Sequence, residues 1–209
     1  MYSECIVLPR AVPEEPLPKE LHGRILAISN RSLCSRPFLE QLRRVCLFHP
    51  AALVLREKDL TEDAYEALAR QVLDLCASYQ VPCILHSFPE AARRLGVTEI
   101  HLPLWKLREV SRSGGLGGFG VIGVSIHSVE EALEAQKLGA GYLTAGHIYA
   151  TNCKKGVPPR GIGFLKDVCS AVSLPVFAIG GIRLDGGQMR DLMGCNAVGG
   201  CIMSGMMEL

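Results

Sequence analysis

Net charge is almost absent from this sequence. Its 22 lysines and arginines are balanced by 21 aspartates and glutamates, which leaves a formal charge of +1 at pH 7. Proteins that bind nucleic acid or an anionic membrane through electrostatics carry a clear basic patch or a positive excess. The composition therefore gives no reason to expect either partner.

A long apolar run and a secretory leader are also missing. No stretch approaches the roughly 18 consecutive apolar residues of a membrane-spanning helix. The start of the chain has neither the basic residues nor the long apolar core of a signal peptide. We expect no membrane span and a cytoplasmic location.

Metal-binding cysteine spacing is absent as well. The nine cysteines include no Cys-x-x-Cys pair, and a structural zinc site needs such clustering. We interpret the cysteines as small buried apolar residues in a reducing cytoplasm.

What is present suits one globular domain. The chain has 209 residues, of which 48% are hydrophobic, and α/β barrels of about 200–250 residues commonly form one unit. Four prolines before residue 19 predict an irregular lead-in at 1–22, with an optional short strand at 5–8. The domain itself is predicted at 23–209.

Apolar runs alternate with helical patterns along that domain. Strands are predicted at 23–28, 51–55, 81–85, 99–102, 121–125, 141–144, 176–179 and 197–202. Helices are predicted at 36–47, 61–79, 89–95, 104–110, 128–139, 163–172 and 187–193, with little chain left after the last strand. Thr61 and Ser128 are N-cap candidates, the latter with Glu131 as a capping box. The apolar stripe of the second helix is predicted at Ala64, Leu68, Val72 and Leu75.

This alternation predicts parallel strands joined by helical crossovers. Eight units in one short domain favour a single closed (β/α)8 TIM barrel. An open Rossmann sheet is the alternative, but no Gly-x-Gly-x-x-Gly follows the first strand.

The carboxyl ends of barrel strands line the active site. Here they carry basic, imidazole, hydroxyl and glycine residues: Arg56, Lys58, His86, Ser87, His101, Ser125, His127, His147, Gly180, Gly181, Ser204 and Gly205. Glycines after strand seven and Ser-Gly after strand eight are typical of the phosphate site of such barrels. The alternative for Gly180 and Gly181 is a tight turn.

The histidines at the strand ends raise the question of a metal site. Catalytic zinc usually takes three histidine or carboxylate ligands, yet no His-x-His pair is present and Glu57 is the one carboxylate near a strand end. We therefore predict no metal. His101 also fits an inward-facing histidine that only makes hydrogen bonds.

His147 is the strongest candidate for chemistry. Imidazole titrates near pH ~6.5, so it can accept and donate a proton at physiological pH. The loop at 144–161 also holds Thr151, Lys154, Lys155 and Arg160. The lysines could bind an anion or form a solvated face.

The residues at 146–161, which read GHIYATNCKKGVPPRG, and AIGGI at 178–182 resemble the thiamine phosphate synthase/TenI superfamily. LREKD at 55–59 and IGVSIHS at 122–128 are similar to the same superfamily. The resemblance spans about 23–205. It implies a (β/α)8 barrel and a place in thiamine biosynthesis.

The synthase branch of this superfamily joins a pyrimidine pyrophosphate to a thiazole phosphate and needs magnesium. Its pattern has Asn-Asp after strand three and an aspartate after strand four. This chain has His86-Ser87 at the first place and Lys106, or Trp105, at the second. Since magnesium prefers carboxylate oxygens and substrate phosphates, these changes disfavour the ion.

The Gly-His pair at 146–147, followed by Asn-Cys-Lys-Lys-Gly, is similar to the TenI branch of thiazole tautomerases. These aromatise the carboxythiazole phosphate tautomer released by thiazole synthase. One proton leaves a ring carbon and one is delivered elsewhere, which suits one imidazole without a metal. The resemblance implies His147 as the acid/base, with phosphate contacts from Gly180, Gly181, Ser204 and Gly205, and Ser125, Thr151 and Lys154 near the substrate.

A thiazole tautomerase that acts on a small thiazole phosphate without a cofactor is our leading hypothesis. Arg56 and Lys58 match the pyrophosphate-binding pair of the synthase, which favours a divergent, magnesium-dependent synthase or reflects ancestry. A non-catalytic binding or regulatory protein is the third hypothesis. The sequence is compatible with a homo-oligomer but does not define the oligomeric state.

Overall fold

Eight parallel strands close into a barrel in the computed structural model, which describes residues 16–151, 154 and 156–209. The strands are β1 Ile25–Ile28, β2 Ala52–Leu55, β3 Cys83–His86, β4 Glu99–Pro103, β5 Val121–Ile126, β6 Tyr142–Gly146, β7 Val176–Ile179 and β8 Gly199–Ile202. Each pairs in parallel with the next, and β1 pairs with β8 through Leu26 and Cys201. The predicted (β/α)8 barrel is confirmed. The optional strand at 5–8 lies outside the described residues, as does Lys155.

The helices are α1 Phe38–Phe48, α2 Glu62–Ser78, α3 Pro89–Arg94, α4 Leu104–Arg112, α5 Val129–Lys137, α6 Gly161–Ala171, α7 Gly186–Gly194 and α8 Ser204–Met207. A 3-10 helix at Lys19–Arg24 leads into β1. Among the described residues, no helix has the length and apolar character needed to cross a membrane.

Alternation along the strands separates two apolar layers. Ile25 and Ala27 belong to the large core between strands and helices, whereas Leu26 and Ile28 belong to a smaller cluster with Val54 and Cys201. Strands covered on both faces are buried throughout, as β1, β2 and β8 are. The same alternation directs the polar residues at the ends of the other strands toward the barrel interior.

The predicted apolar stripe of α2 is confirmed at Val72, which is buried, and at Leu68 and Leu75, which pack against the core, but it is wrong at Ala64. Ala64 is exposed, and the buried residues are Tyr65, Ala69, Val72 and Cys76. The stripe is rotated because the Tyr65 hydroxyl donates to the Leu55 carbonyl at 2.7 Å and accepts from the His86 amide at 2.8 Å. Tyr65 therefore ties α2 to the ends of β2 and β3.

Both N-cap predictions are confirmed. The Thr61 side chain accepts from the Ala64 amide at 3.4 Å, and Ser128 accepts from the Glu131 amide at 3.1 Å. The Glu131 carboxylate accepts from the amide of His127, one residue before the cap. The start of α5 is thus fixed directly beside the end of β5.

Candidate active site

A cavity of about 720 Å³ opens at the carboxyl ends of the strands. The residues to which the sequence analysis assigned catalysis or substrate binding line it: Arg56, Lys58, Ser125, His147, Thr151, Lys154, Gly180, Gly181, Ser204 and Gly205, whereas Ser87, also named at a strand end, does not. Their convergence follows from the closed parallel barrel, which brings every strand end to one rim. Their roles in binding and catalysis stay predictions.

His147 follows β6 directly and forms part of the cavity wall. Its side chain is buried, with 5% exposure, and its Nε2 lies 3.3 Å from the Val157 carbonyl. A carbonyl oxygen only accepts, so this contact places the hydrogen on Nε2 and leaves a lone pair on Nδ1. The ring can therefore take up a proton at Nδ1.

The two glycines after β7 are required by the path of the His147 loop. Gly180 and Gly181 have φ of +95° and +70°, a region that favours glycine. A Cβ on Gly180 would lie 2.2 Å from the His147 Cβ, and one on Gly181 would lie 2.5 Å from the Ala150 carbonyl oxygen. The glycine pair therefore allows the loops after β6 and β7 to touch, and this packing role is independent of the predicted phosphate contact.

His101 lies inside the barrel beneath the cavity. Its Nδ1 is 2.9 Å from the Tyr142 hydroxyl and its Nε2 is 2.8 Å from Ser125 Oγ. Thr144 Oγ1 completes the group at 3.1 Å from Ser125 Oγ. This is the hydrogen-bonded inward histidine that the sequence left as an alternative to a metal ligand.

Two neutral imidazoles form the floor on this side. Burial, with a smaller effect from Lys58, lowers the pKa of His101 to about 3. Burial also lowers the pKa of His86, helped by His101, Lys58 and Arg56. The two rings stack at 5.6 Å between centroids, and neutral rings can do so without charge repulsion.

Arg56 and Lys58 supply positive charge at the rim beside these histidines. Partial burial and the neighbouring Arg56 lower the pKa of Lys58. Glu57, between them, points away: its carboxylate accepts from Ser29 Oγ at 2.6 Å and from the Arg31 amide at 3.2 Å. Alternation of side chains after β2 thus sends both cations to the cavity and the carboxylate to a separate buried position beside Ser29.

Several lining residues were not predicted as site residues. Arg183 and Glu208 lie on the cavity wall, together with the apolar side chains Ile28, Val54 and Met203. Arg183 follows the β7 glycines and adds a cation near them, and its position four residues beyond the strand gave no periodic signal. Ile28 and Val54 could have been found from the inward alternation of β1 and β2, and Met203 from that of β8.

A second cavity of about 540 Å³ adjoins the first and shares Lys58 and Pro103 with it. It is lined by Ser87, Trp105 and Lys106. Ser87 stands at one aspartate place of the synthase pattern, and Lys106, or Trp105, stands at the other. Lys106 Nζ pairs with Glu109 at 2.7 Å.

The residues at these places do not fit magnesium. Among the described residues that line the main cavity, Glu208 is the one carboxylate, while Mg²⁺ takes oxygen ligands in octahedral geometry. Over the described part of the chain, no group of three His, Cys, Asp or Glu side chains is arranged to hold a metal ion. The second cavity is lined by three carboxylates, and each of them is paired with an arginine or a lysine: Glu62, Glu90 and Glu109.

The closed barrel and its cation-rimmed cavity define a (β/α)8 barrel protein with an open cavity at the strand ends. The chain belongs to the TMP-TENI family, described as thiamine monophosphate synthase, whose model matches residues 25–206.

Relatives with that activity in their names span most of the chain. Thiamine-phosphate synthase 2 of Streptococcus pneumoniae serotype 4 (strain ATCC BAA-334 / TIGR4) is 33% identical over 191 residues, covering 88% of each protein. Thiamine-phosphate synthase of Desulfitobacterium hafniense (strain DSM 10664 / DCB-2) is 33% identical over 153 residues, covering 70% of this chain and 72% of the relative.

A solved structure shares the fold. Thiamine phosphate pyrophosphorylase from Pyrococcus furiosus superposes with a TM-score of 0.76 at 24% identity, covering 90% of this chain and 89% of the other. The superfamily predicted from the sequence is therefore confirmed. The relatives' names point to its synthase branch rather than to its TenI branch.

Proposed function

We propose that the chain is a thiazole tautomerase, in which His147 transfers the proton that aromatises a carboxythiazole phosphate. The observation that carries the proposal is a buried imidazole, packed against the glycines of the predicted phosphate site, whose Nδ1 has no hydrogen-bond partner among the described residues. A base held beside the anchor of its substrate has the positioning that proton transfer needs.

The reaction is balanced by one imidazole. Neutral His147 takes a proton from the ring carbon at Nδ1 and becomes an imidazolium ion. It then returns a proton to the other position of the isomer and is neutral again. No redox partner or leaving group is involved, so the residues at hand suffice.

Substrate binding is assigned to the rim. Gly180, Gly181, Ser204 and Gly205 are proposed to hold the phosphate through backbone amides and the serine hydroxyl. Lys154 and Arg183, which line the same cavity, add positive charge there. Ser125 and Thr151 are proposed to contact the thiazole part.

The test is a direct assay of the purified chain. We expect it to aromatise the carboxythiazole phosphate tautomer at the same rate with EDTA and with added magnesium. Absence of catalysis above the uncatalysed rate under both conditions would contradict the proposal.

A divergent thiamine phosphate synthase is the second candidate, and the names of the relatives favour it. Arg56 and Lys58, both on the cavity rim, match the pyrophosphate-binding pair of that branch. Magnesium-dependent formation of thiamine phosphate from the pyrimidine pyrophosphate and thiazole phosphate would establish this function. Binding of thiazole phosphate without turnover in either assay would instead support the non-catalytic alternative.

A further inference from the structure

Tyr142, His101, Ser125 and Thr144 form a chain of hydrogen bonds from the barrel interior to the cavity. Tyr142 Oη lies 2.9 Å from His101 Nδ1, and His101 Nε2 lies 2.8 Å from Ser125 Oγ. Thr144 Oγ1 lies 3.1 Å from Ser125 Oγ and 3.4 Å from His101 Nε2. His101, Ser125 and Thr144 line the cavity, so the chain of hydrogen bonds ends where a ligand would bind.

Tyr142 fixes the direction of donation along this chain of hydrogen bonds. Its side chain is buried across Gly123, where any Cβ would lie 2.1 Å from the phenol ring. Burial raises the pKa of Tyr142, so the phenol keeps its hydrogen. Among the described residues, His101 Nδ1 is the acceptor within hydrogen-bond distance of that hydroxyl. A buried hydroxyl hydrogen without an acceptor is costly, so Tyr142 donates to Nδ1.

The direction of this bond determines the tautomer of His101. Burial, followed by the charge of Lys58, lowers the pKa of His101 to about 3, so the ring is neutral near pH 7. A neutral imidazole whose Nδ1 accepts carries its hydrogen on Nε2. The Nε2 hydrogen is then donated to Ser125 Oγ.

One hydroxyl hydrogen of the Ser125–Thr144 pair remains available to a ligand. Three atoms carry one hydrogen each: His101 Nε2, Ser125 Oγ and Thr144 Oγ1. Within this group only the two hydroxyl oxygens can accept a hydrogen bond. The imidazole hydrogen uses Ser125, and the two hydroxyls make one bond between them. One hydroxyl hydrogen is left without an acceptor among the described residues and faces the cavity.

We propose that this directed chain makes the Ser125–Thr144 pair a hydrogen-bond donor that selects a thiazole phosphate with an acceptor atom at the cavity floor. The acceptor is a carboxylate oxygen or a ring nitrogen, and the inference rests on the proposed thiazole phosphate ligand. In the reverse direction, with Nδ1–H donating to Tyr142, both hydroxyl hydrogens would be used internally. The Ser125–Thr144 pair would then offer only lone pairs to the ligand and would select a donor.

The tautomer can be measured on the ligand-free protein by ¹⁵N–¹H NMR of the histidine rings at pH 7, with His101→Gln to assign the signals. We expect His101 to be protonated at Nε2 and not at Nδ1. Tyr142→Phe should shift the ring toward the Nδ1-protonated form, and the matched Tyr79→Phe should not. Protonation at Nδ1 in the wild-type protein would overturn the proposal. Because no turnover is involved, this result is independent of the proposed function.

Ligand selection can be measured by calorimetry with two probes, carboxythiazole phosphate and the matching thiazole phosphate without the carboxylate. The variant is Ser125→Ala with Thr144→Val, and the control is Ser78→Ala, whose exposed hydroxyl bonds to the Leu75 carbonyl. We expect about fivefold to tenfold weaker binding to the variant. Weaker binding of the carboxylate probe alone identifies the carboxylate as acceptor, and weaker binding of both identifies the ring nitrogen. Unchanged affinity for both probes would overturn the proposal.

Discussion

Individual residues at the barrel mouth serve packing and chemistry together. Gly180 is the clearest case, because its positive φ and its contact with His147 both exclude a side chain. The sequence offered a tight turn and a phosphate site as alternatives for this glycine. The structure shows that the turn geometry exists, and it leaves the phosphate contact as a separate prediction.

Gly180→Ala should destabilise the fold and displace His147. The left-handed backbone alone costs about 1–2 kcal/mol for a residue with a Cβ, and the overlap with His147 adds to this. Urea unfolding and the tautomerase assay measure the two effects. The control is Gly163→Ala in α6, where a Cβ meets nothing within 4 Å, and which should be neutral or stabilising by up to about 1 kcal/mol. Equal stability of the two variants would contradict this account.

His101 should make stability depend on pH. In the folded protein its pKa is lowered to about 3 by burial, whereas in the unfolded chain the same imidazole has a pKa of about 6.5. Below that pH the unfolded state binds the proton and the folded state does not, so stability is full above ~6.5 and falls toward pH 3. At pH 4.5 the loss from this group is about 2–3 kcal/mol.

Urea unfolding of wild type and His101→Gln between pH 7 and 4.5 measures this contribution. The decrease in unfolding free energy should be smaller in the variant, while His86, whose pKa is also lowered, keeps part of it. The same decrease in both proteins would show that His101 does not stay neutral in the folded state.

At the scale of secondary-structure elements, the caps determine where the helices begin beside the site. Ser128 starts α5 with a 3.1 Å bond to the Glu131 amide, and Glu131 holds the His127 amide in return. Thr61 starts α2 with a longer bond of 3.4 Å and no reciprocal partner of this kind. The cap of α5 therefore also holds the end of β5 and His127.

Ser128→Ala should lower the free energy of unfolding by about 1 kcal/mol. Thr61→Ala should have a smaller effect because its hydrogen bond is longer. Chemical denaturation of both variants against wild type measures the difference. A larger loss for Thr61→Ala would contradict the ranking.

The sequence predicted element order and strand ends well, because parallel strands and helices differ in period and length. In α2 it misplaced Ala64 and missed Tyr65, which turns inward to bond with Leu55 and His86, contacts that local periodicity does not encode. It also missed Arg183, which reaches the cavity from a loop rather than a strand. Hydrogen-bond direction at His101 depends on Tyr142, far away in sequence, and only the fold brings the two together.

For the molecule as a whole, the cavity is positive although the chain is nearly neutral. Arg56, Lys58, Lys154 and Arg183 line it, against Glu208 among the described lining residues, while the formal charge is +1. Closure of the barrel concentrates cations from separate loops at one rim. Such a cavity attracts phosphate esters without making the whole surface basic.

Affinity for thiazole phosphate should therefore fall several-fold between about 20 mM and about 200 mM salt, because salt screens exposed charges. Arg56→Gln should weaken binding at low salt and reduce this dependence. The control is Arg70→Gln on the outer face of α2, where Arg70 pairs with Glu66, and its salt dependence should match wild type. Calorimetry at both salt concentrations provides the values, and a salt-independent affinity in the wild type would be inconsistent with a cationic rim.

The most direct measurement compares His147→Gln with wild type in the presence of EDTA. The account predicts that aromatisation of carboxythiazole phosphate falls by at least about 100-fold, while thiazole phosphate binds within about twofold of wild type. His127→Gln removes a neighbouring imidazole, whose Nδ1 lies 2.8 Å from the Gly146 carbonyl oxygen, and should lose less than about tenfold. Turnover that persists in His147→Gln, or wild-type activity that disappears with EDTA, would contradict proton transfer by this imidazole without a metal ion.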